Sequence, residues 1–227
     1  MLRAFSNRRP NGSPLLLAGF DPFGGAGENP SQRVVEALAG ETVSGHPVVC
    51  AVLPTAFGAA STQLLACIAR ERPALVLCLG QAGGRAAVSI ERVAINVADA
   101  RIPDNTGAQP VDEAVVPGGP AAYFSGLPVK AMFAALRQAG IAVEVSNSAG
   151  TFVCNHVFYT LMHTLETRRD LRGGDDEMRG GFVHLPWLPG QGLPAMPQEE
   201  MLRAVRLLLE TALARREDVC VGAGRLD

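Results

Sequence analysis

Cys154 stands in the run AGTFVCNHVFY, directly after the small-residue turn SNSAGT. Read as a helix, the segment after Thr151 places Cys154, Val157, Phe158, Leu161, Met162 and Leu165 on one apolar face, so the thiol opens a buried stripe. Free cysteine is among the most buried residue types, and a core thiol is the plain alternative. Position argues for more. In the first turn of a helix the unpaired N–H groups and the helix dipole favour thiolate, and the same N–H groups can act as an oxyanion hole. Cys154 is therefore a candidate nucleophile.

A thiol nucleophile works with a base, and the chain has four histidines. His156 and His163 follow Cys154 by two and nine residues. At about 100° per residue both project to the opposite side of the helix. His46 precedes a strand, whereas His184 ends the apolar run GGFVHL. Open α/β sheets bind ligands outside the carboxyl ends of their strands, which favours His184 as the base. For the orienting acid, VSIERVAINV has apolar residues at 88 and 90 and then at 93, 95 and 97. The alternation changes phase at Glu91-Arg92, and a bulge or bend there would re-aim Glu91. Asp21, Asp99 and Asp104, all in loops, compete for the role.

These groups need a scaffold, and the chain alternates short aliphatic runs with helical ones. PLLLAGF is followed by the loop DPFGGAGE and a helix with Asn29 as N-cap and Pro30 at its first position. PVVCAVL, ALVLCLG, AVEVS and GFVHL read as further strands; AFGAASTQLLACIARER, VKAMFAALRQAG, FVCNHVFYTLMHTLE and QEEMLRAVRLLLETALARR read as helices. The pattern predicts an α/β fold with a mostly parallel, mixed sheet covered on both faces. Between residues 80 and 128 the rhythm breaks into the glycine-rich GQAGGR and the loop DARIPDNTGAQP, and long irregular loops are often functional. RGGDDEMRGG, residues 172–181, reads as a solvated loop.

At 227 residues one core suffices, and residues 14–227 read as a single domain behind a disordered extension, 1–13. A net charge of -2 carries no large single-sign field, which argues against nucleic acid as partner. No apolar run approaches the ~18 residues of a membrane span and the amino-terminal stretch lacks a secretory signal, so the expected location is the cytoplasm. Five cysteines without Cys-x-x-Cys spacing give no disulfide framework. Cys154-Asn-His156 offers two ligands where a structural zinc site takes about four, and no metal site is predicted. The glycines at 19, 24, 25 and 27 fit neither a dinucleotide fingerprint nor a phosphate loop. A nucleoside phosphorylase-like enzyme nonetheless remains the rival α/β reading.

Taken in order, GFDPFGG with NPS, GQAGGR with ERVAIN, ARIPDNTGAQP, GGPAAYFSGLP, SAGTFVCNH and GGFVHLPWLP resemble pyroglutamyl peptidase I, a family of cysteine peptidases, over roughly residues 14–190. The resemblance implies a three-layer α/β/α domain, often a homotetramer, that removes N-terminal pyroglutamate (5-oxoproline) from peptides without a cofactor. It implies Cys154 as nucleophile, His184 as base and Glu91 as orienting acid, with Arg101 joining the Cys154 N–H at the oxyanion. It further implies Phe20 and Phe23 as walls of a lactam slot, Phe152 and Val153 nearby, and Gln81 as a polar contact. A catalytically silent lactam-binding protein on the same scaffold is the alternative from outside enzymology.

Overall fold

The computed structural model describes residues 12–168 and 178–224. The extension, apart from Gly12 and Ser13, and the acidic part of the 172–181 stretch lie outside the described residues.

Period-two alternation builds the layers. In β1 (Leu15–Phe20) Leu15 and Leu17 enter one apolar cluster, while Leu16, Ala18 and Phe20 enter another on the opposite face. β4 (Leu75–Gln81) repeats this, with Leu75, Leu77 and Leu79 on the first side and Val76 and Cys78 on the second. Helices α1 (Pro30–Leu38), α3 (Val129–Gln138) and α5 (Gln198–Ala214) cover the first face. Helices α2 (Ala59–Glu71) and α4 (Val153–Thr167) cover the second. The result is an α/β/α sandwich.

Among the described residues seven strands form the sheet: β2 (Thr42–Val43), β3 (His46–Leu53), β1, β4, β9 (Arg179–Leu185), β5 (Val88–Glu91) and β8 (Val143–Ser146), in that order. β3, β1, β4 and β9 are parallel, whereas β5 pairs antiparallel with β9 and parallel with β8. The mixed sheet follows the sequence reading. Two details differ. β9 begins at Arg179, so the last three residues of RGGDDEMRGG belong to a buried strand rather than to the predicted loop. The phase change after Glu91 is not a bulge in one strand: β5 ends there, and β6 (Val93–Ile95) leaves to pair with β7 (Ala122–Phe124) in a separate two-stranded sheet.

The cap of α1 forms as its residues predict. Asn29 Oδ1 accepts from Ser31 N at 3.0 Å with Pro30 in the first turn, an arrangement worth about 1 kcal/mol. Val34, Val35 and Leu38 are fully buried below it, each contributing about 1.5–3 kcal/mol. Ser31 Oγ also accepts from Phe20 N at 3.0 Å, and Asn29 Nδ2 donates to Asp21 O at 3.0 Å. The loop leaving β1 is thus tied to the helix that follows it.

Candidate active site

His184 is the sixth residue of β9, and its imidazole faces the α4 side with Phe182, whose ring centroid lies 4.9 Å away. Glu91, at the end of β5, pairs in register with Phe182 and so sits diagonally across from His184. His184 Nδ1 and Glu91 Oε1 are 2.7 Å apart, with Glu91 wholly buried and His184 4% exposed. Burial raises the Glu91 carboxyl. The hydrogen bond and charge of His184, the nearby Ser146 hydroxyl and the Arg85 charge outweigh it and hold the group below the usual carboxylate range. An ionised carboxylate only accepts, so Nδ1 carries the proton and the Nε2 lone pair is left as the basic site.

Cys154 is the second residue of α4, and Phe152 before it supplies no side-chain cap. The sulfur sits over Gly80 of β4, which is the register partner of His184. Only a residue without Cβ leaves room for it. The thiol, carried by α4 over β4, and the imidazole of β9 therefore face each other on one side of neighbouring strands about 4.8 Å apart. Val157, Phe158, Leu161, Met162 and Leu165 of the predicted stripe are buried, while Cys154 itself keeps partial exposure at the helix end. The expectation that the helix terminus would favour thiolate is reversed by environment. Burial and the Glu91 charge push the thiol up to about 12, against smaller lowering effects from Arg85 and from the residue's own N–H.

The other histidines are engaged elsewhere. His156 Nδ1 contacts Ser61 Oγ at 3.0 Å, His163 Nδ1 contacts Tyr123 OH at 2.9 Å, and His46 Nδ1 contacts Ser13 O at 2.7 Å at the amino end of β3. The rival acids hold loops. Asp21 accepts from Thr55 N at 2.6 Å and Asn105 Nδ2 at 3.1 Å. Asp104 accepts from the N–H groups of Phe57, Thr106 and Ala108 and from the Thr106 hydroxyl. Asp99 is exposed, its backbone bonded to Thr151.

Three rings meet in front of α4. Phe152 lies 6.0 Å from Phe23 and 5.3 Å, edge-on, from Phe57. Phe23 and Phe152 were expected; Phe57 was not, and its position is set by Asp104 across 47 residues of chain. Phe20 and Val153 are buried in the core, with Phe20 packed on Phe182 at 6.2 Å. Gln81 is half-buried at the end of β4 and lines a neighbouring cleft. Arg101 is exposed and, among the described residues, has no hydrogen bond or ion pair. The arginine that joins the cluster is Arg85 of GQAGGR. Its Nη1 donates to Glu91 Oε1 at 2.8 Å and its Nη2 to Ser148 O at 3.3 Å, so one carboxylate oxygen serves both partners while Oε2 has none among the described residues. Asn155, between Cys154 and His156, is also structural: its amide accepts from Ile95 N and donates to Ile95 O and Val97 O, pinning β6 to α4.

The family model described as pyroglutamyl peptidase matches residues 13–215. A pyrrolidone-carboxylate peptidase of Cupriavidus necator is 52% identical over 217 residues, covering 93% of this chain and 98% of that one. Its counterpart from Streptomyces coelicolor is 52% identical over 202 residues, 87% and 91% of the two chains. Among solved structures, pyroglutamyl peptidase I from Bacillus amyloliquefaciens superposes with a TM-score of 0.87 at 40% identity, over 92% of this chain and 99% of that one. A mutant pyrrolidone carboxyl peptidase from Pyrococcus furiosus gives 0.82 at 40% identity, over 88% and 98%. With a family model spanning most of its length and relatives this similar along nearly all of theirs, the chain belongs to the pyroglutamyl peptidase family of cysteine peptidases.

Proposed function

We infer that the protein hydrolyses the peptide bond after an N-terminal pyroglutamate through Cys154, His184 and Glu91. The observation that carries this is the buried 2.7 Å contact of His184 Nδ1 with Glu91 Oε1, beside a sulfur seated over the strand neighbour of that histidine. Because the resting thiol is neutral, attack is coupled to proton transfer: Sγ bonds to the pyroglutamyl carbonyl carbon as Nε2 takes its proton. Glu91 stabilises the imidazolium that results. The oxyanion is held by the Cys154 N–H, and Arg101, exposed and without a hydrogen bond or ion pair among the described residues, joins it. Collapse breaks the C–N bond and the amine leaves with the proton from His184; water, deprotonated by His184, then attacks the thioester, and the C–S bond breaks as the sulfur takes that proton back, releasing pyroglutamate. No step draws on a metal or organic cofactor.

Phe23, Phe57 and Phe152 suit an uncharged lactam, with Phe20 and Val153 packed behind them and Gln81 available for polar contact. A pocket of this kind discriminates against an N-terminal ammonium, which would lose hydration without gaining a charge partner. Residues 14–227 form one peptidase domain in this reading, in accord with the family match over 13–215. Five unpaired cysteines suit a reducing compartment such as the cytoplasm, and no helix among the described residues is long and apolar enough to cross a membrane. Assembly into a homo-oligomer, a tetramer by resemblance, is supported by Val111 and Phe124, 67% and 72% exposed. The test pairs pyroglutamyl-alanine amide with glutaminyl-alanine amide: release of alanine amide from the first alone supports the reading, and cleavage of both or neither refutes it.

A further inference from the structure

Beside the three rings lies a cleft of about 870 Å³ that begins at Phe23 and Gln81 and continues past Ile102, Trp187 and Gln191. Small-ligand pockets run roughly 300–1,000 Å³, so a five-membered lactam would leave most of this space empty. Phe23 lines the cleft and its ring lies 6.0 Å from that of Phe152, two residues before Cys154, so the cleft adjoins the three-ring site.

The walls are preformed. Gln191 Nε2 donates to Glu28 O at 2.9 Å and its Oε1 accepts from Leu188 N at 2.8 Å, so one amide ties the glycine-rich loop after β1 to the connection after β9. On that connection the indole of Trp187 is seated between two glycines: a Cβ would meet it at 2.2 Å from Gly83 and at 2.5 Å from Gly192. Its backbone is held by Met196 N donating to Trp187 O at 2.8 Å. A half-buried indole fixed in this way is a rigid apolar platform that loses little entropy on contact. The exposed rim carries Glu28 and Arg33, one charge of each sign, so discrimination falls to the apolar walls.

We propose that this cleft binds the peptide beyond the scissile bond, with Trp187 and Ile102 selecting a large apolar side chain in the residue directly after pyroglutamate. The inference rests on the peptidase reading above. Its test is the ratio of kcat/KM for pyroglutamyl-leucine amide to that for pyroglutamyl-alanine amide. Wild type should favour leucine by about tenfold, Trp187→Ala should bring the ratio close to one, and Trp187→Phe should keep most of it. A wild-type ratio near one, or an unchanged ratio in Trp187→Ala, overturns the proposal while leaving the peptidase reading intact. Wild type that cleaves neither peptide removes the peptidase reading and this proposal together. A second readout does not depend on the variants at position 187, because Trp187 is the only tryptophan in the chain. In Cys154→Ala protein, pyroglutamyl-leucine amide should change the tryptophan emission and pyroglutamyl amide should not. Unchanged emission at a leucine-peptide concentration where calorimetry records binding contradicts the proposal.

Discussion

The sulfur of Cys154 rests on Gly80: a Cβ at that position would stand 2.9 Å from Sγ and 2.9 Å from the Phe182 ring. Neither neighbour can retreat freely, since Phe182 is fully buried and α4 is packed along its length. Gly80→Ala should therefore shift the sulfur by some tenths of an ångström and lower kcat/KM for a pyroglutamyl amide by about 100-fold. Thermal melting of the variant separates this from simple unfolding. A folded Gly80→Ala enzyme with full activity would mean that the sulfur is not held where the chemistry needs it.

Glu91 Oε1 takes hydrogen bonds from both His184 and Arg85. Glu91→Gln removes the charge that fixes the imidazole tautomer and should lower kcat by roughly 10³–10⁴-fold. Arg85→Gln leaves the carboxylate in place and should cost about tenfold, as expected of a positioning residue. Equal losses in the two variants would contradict this division of roles. The carboxyl is held below its usual range in the fold, so it contributes stability above about pH 4 that is lost as pH falls through the folded value. Glu91→Gln should accordingly flatten the acid limb of melting temperature against pH.

Much of the candidate site is legible in the sequence. Cys154 at a helix start, His184 at a strand end and Glu91 at a change of alternation are each marked by local pattern, and local pattern survives folding. The Asn29-Pro30 start of α1 was legible for the same reason. Arg85 and Phe57 were not. Arg85 is a long side chain in a glycine-rich turn, and nothing in its neighbours says that it reaches Glu91; Phe57 enters the ring cluster only because Asp104, far along the chain, holds its N–H. The thiol was misread because the helix terminus is a local signal, while the burial and the Glu91 charge that overcome it are products of tertiary packing.

That packing makes the resting thiol neutral, with its pKa pushed up to about 12. Inactivation by iodoacetamide should still be gaining rate above about pH 9 instead of levelling off in the acid range as it does for a preformed thiolate. A plateau from pH 6 upward would show an ion pair at rest. Burial also raises Cys50, to about 11, and Cys78 further still. Unfolded thiols titrate near pH 8.5, so the unfolded chain loses protons first and stability should fall as pH rises beyond that point. Cys78→Val should lessen the slope.

Asp104 is 6% exposed and accepts four hydrogen bonds that set the loop behind Phe57. Asp104→Ala removes the acceptor of the Phe57, Thr106 and Ala108 N–H groups and should destabilise the fold by about 1–2 kcal/mol. Through Phe57 it should raise KM for a pyroglutamyl amide more than it lowers kcat. The reverse split, with kcat falling and KM unchanged, would place Asp104 with the reacting groups.

The central claim is that Cys154 forms a covalent bond with the pyroglutamyl carbonyl, and it is tested most directly by release of a fluorescent amine from its pyroglutamyl amide. Wild type should turn over, and Cys154→Ala, folded by its melting curve, should lose at least about 10³-fold in kcat. Turnover by Cys154→Ala within about tenfold of wild type would contradict the account.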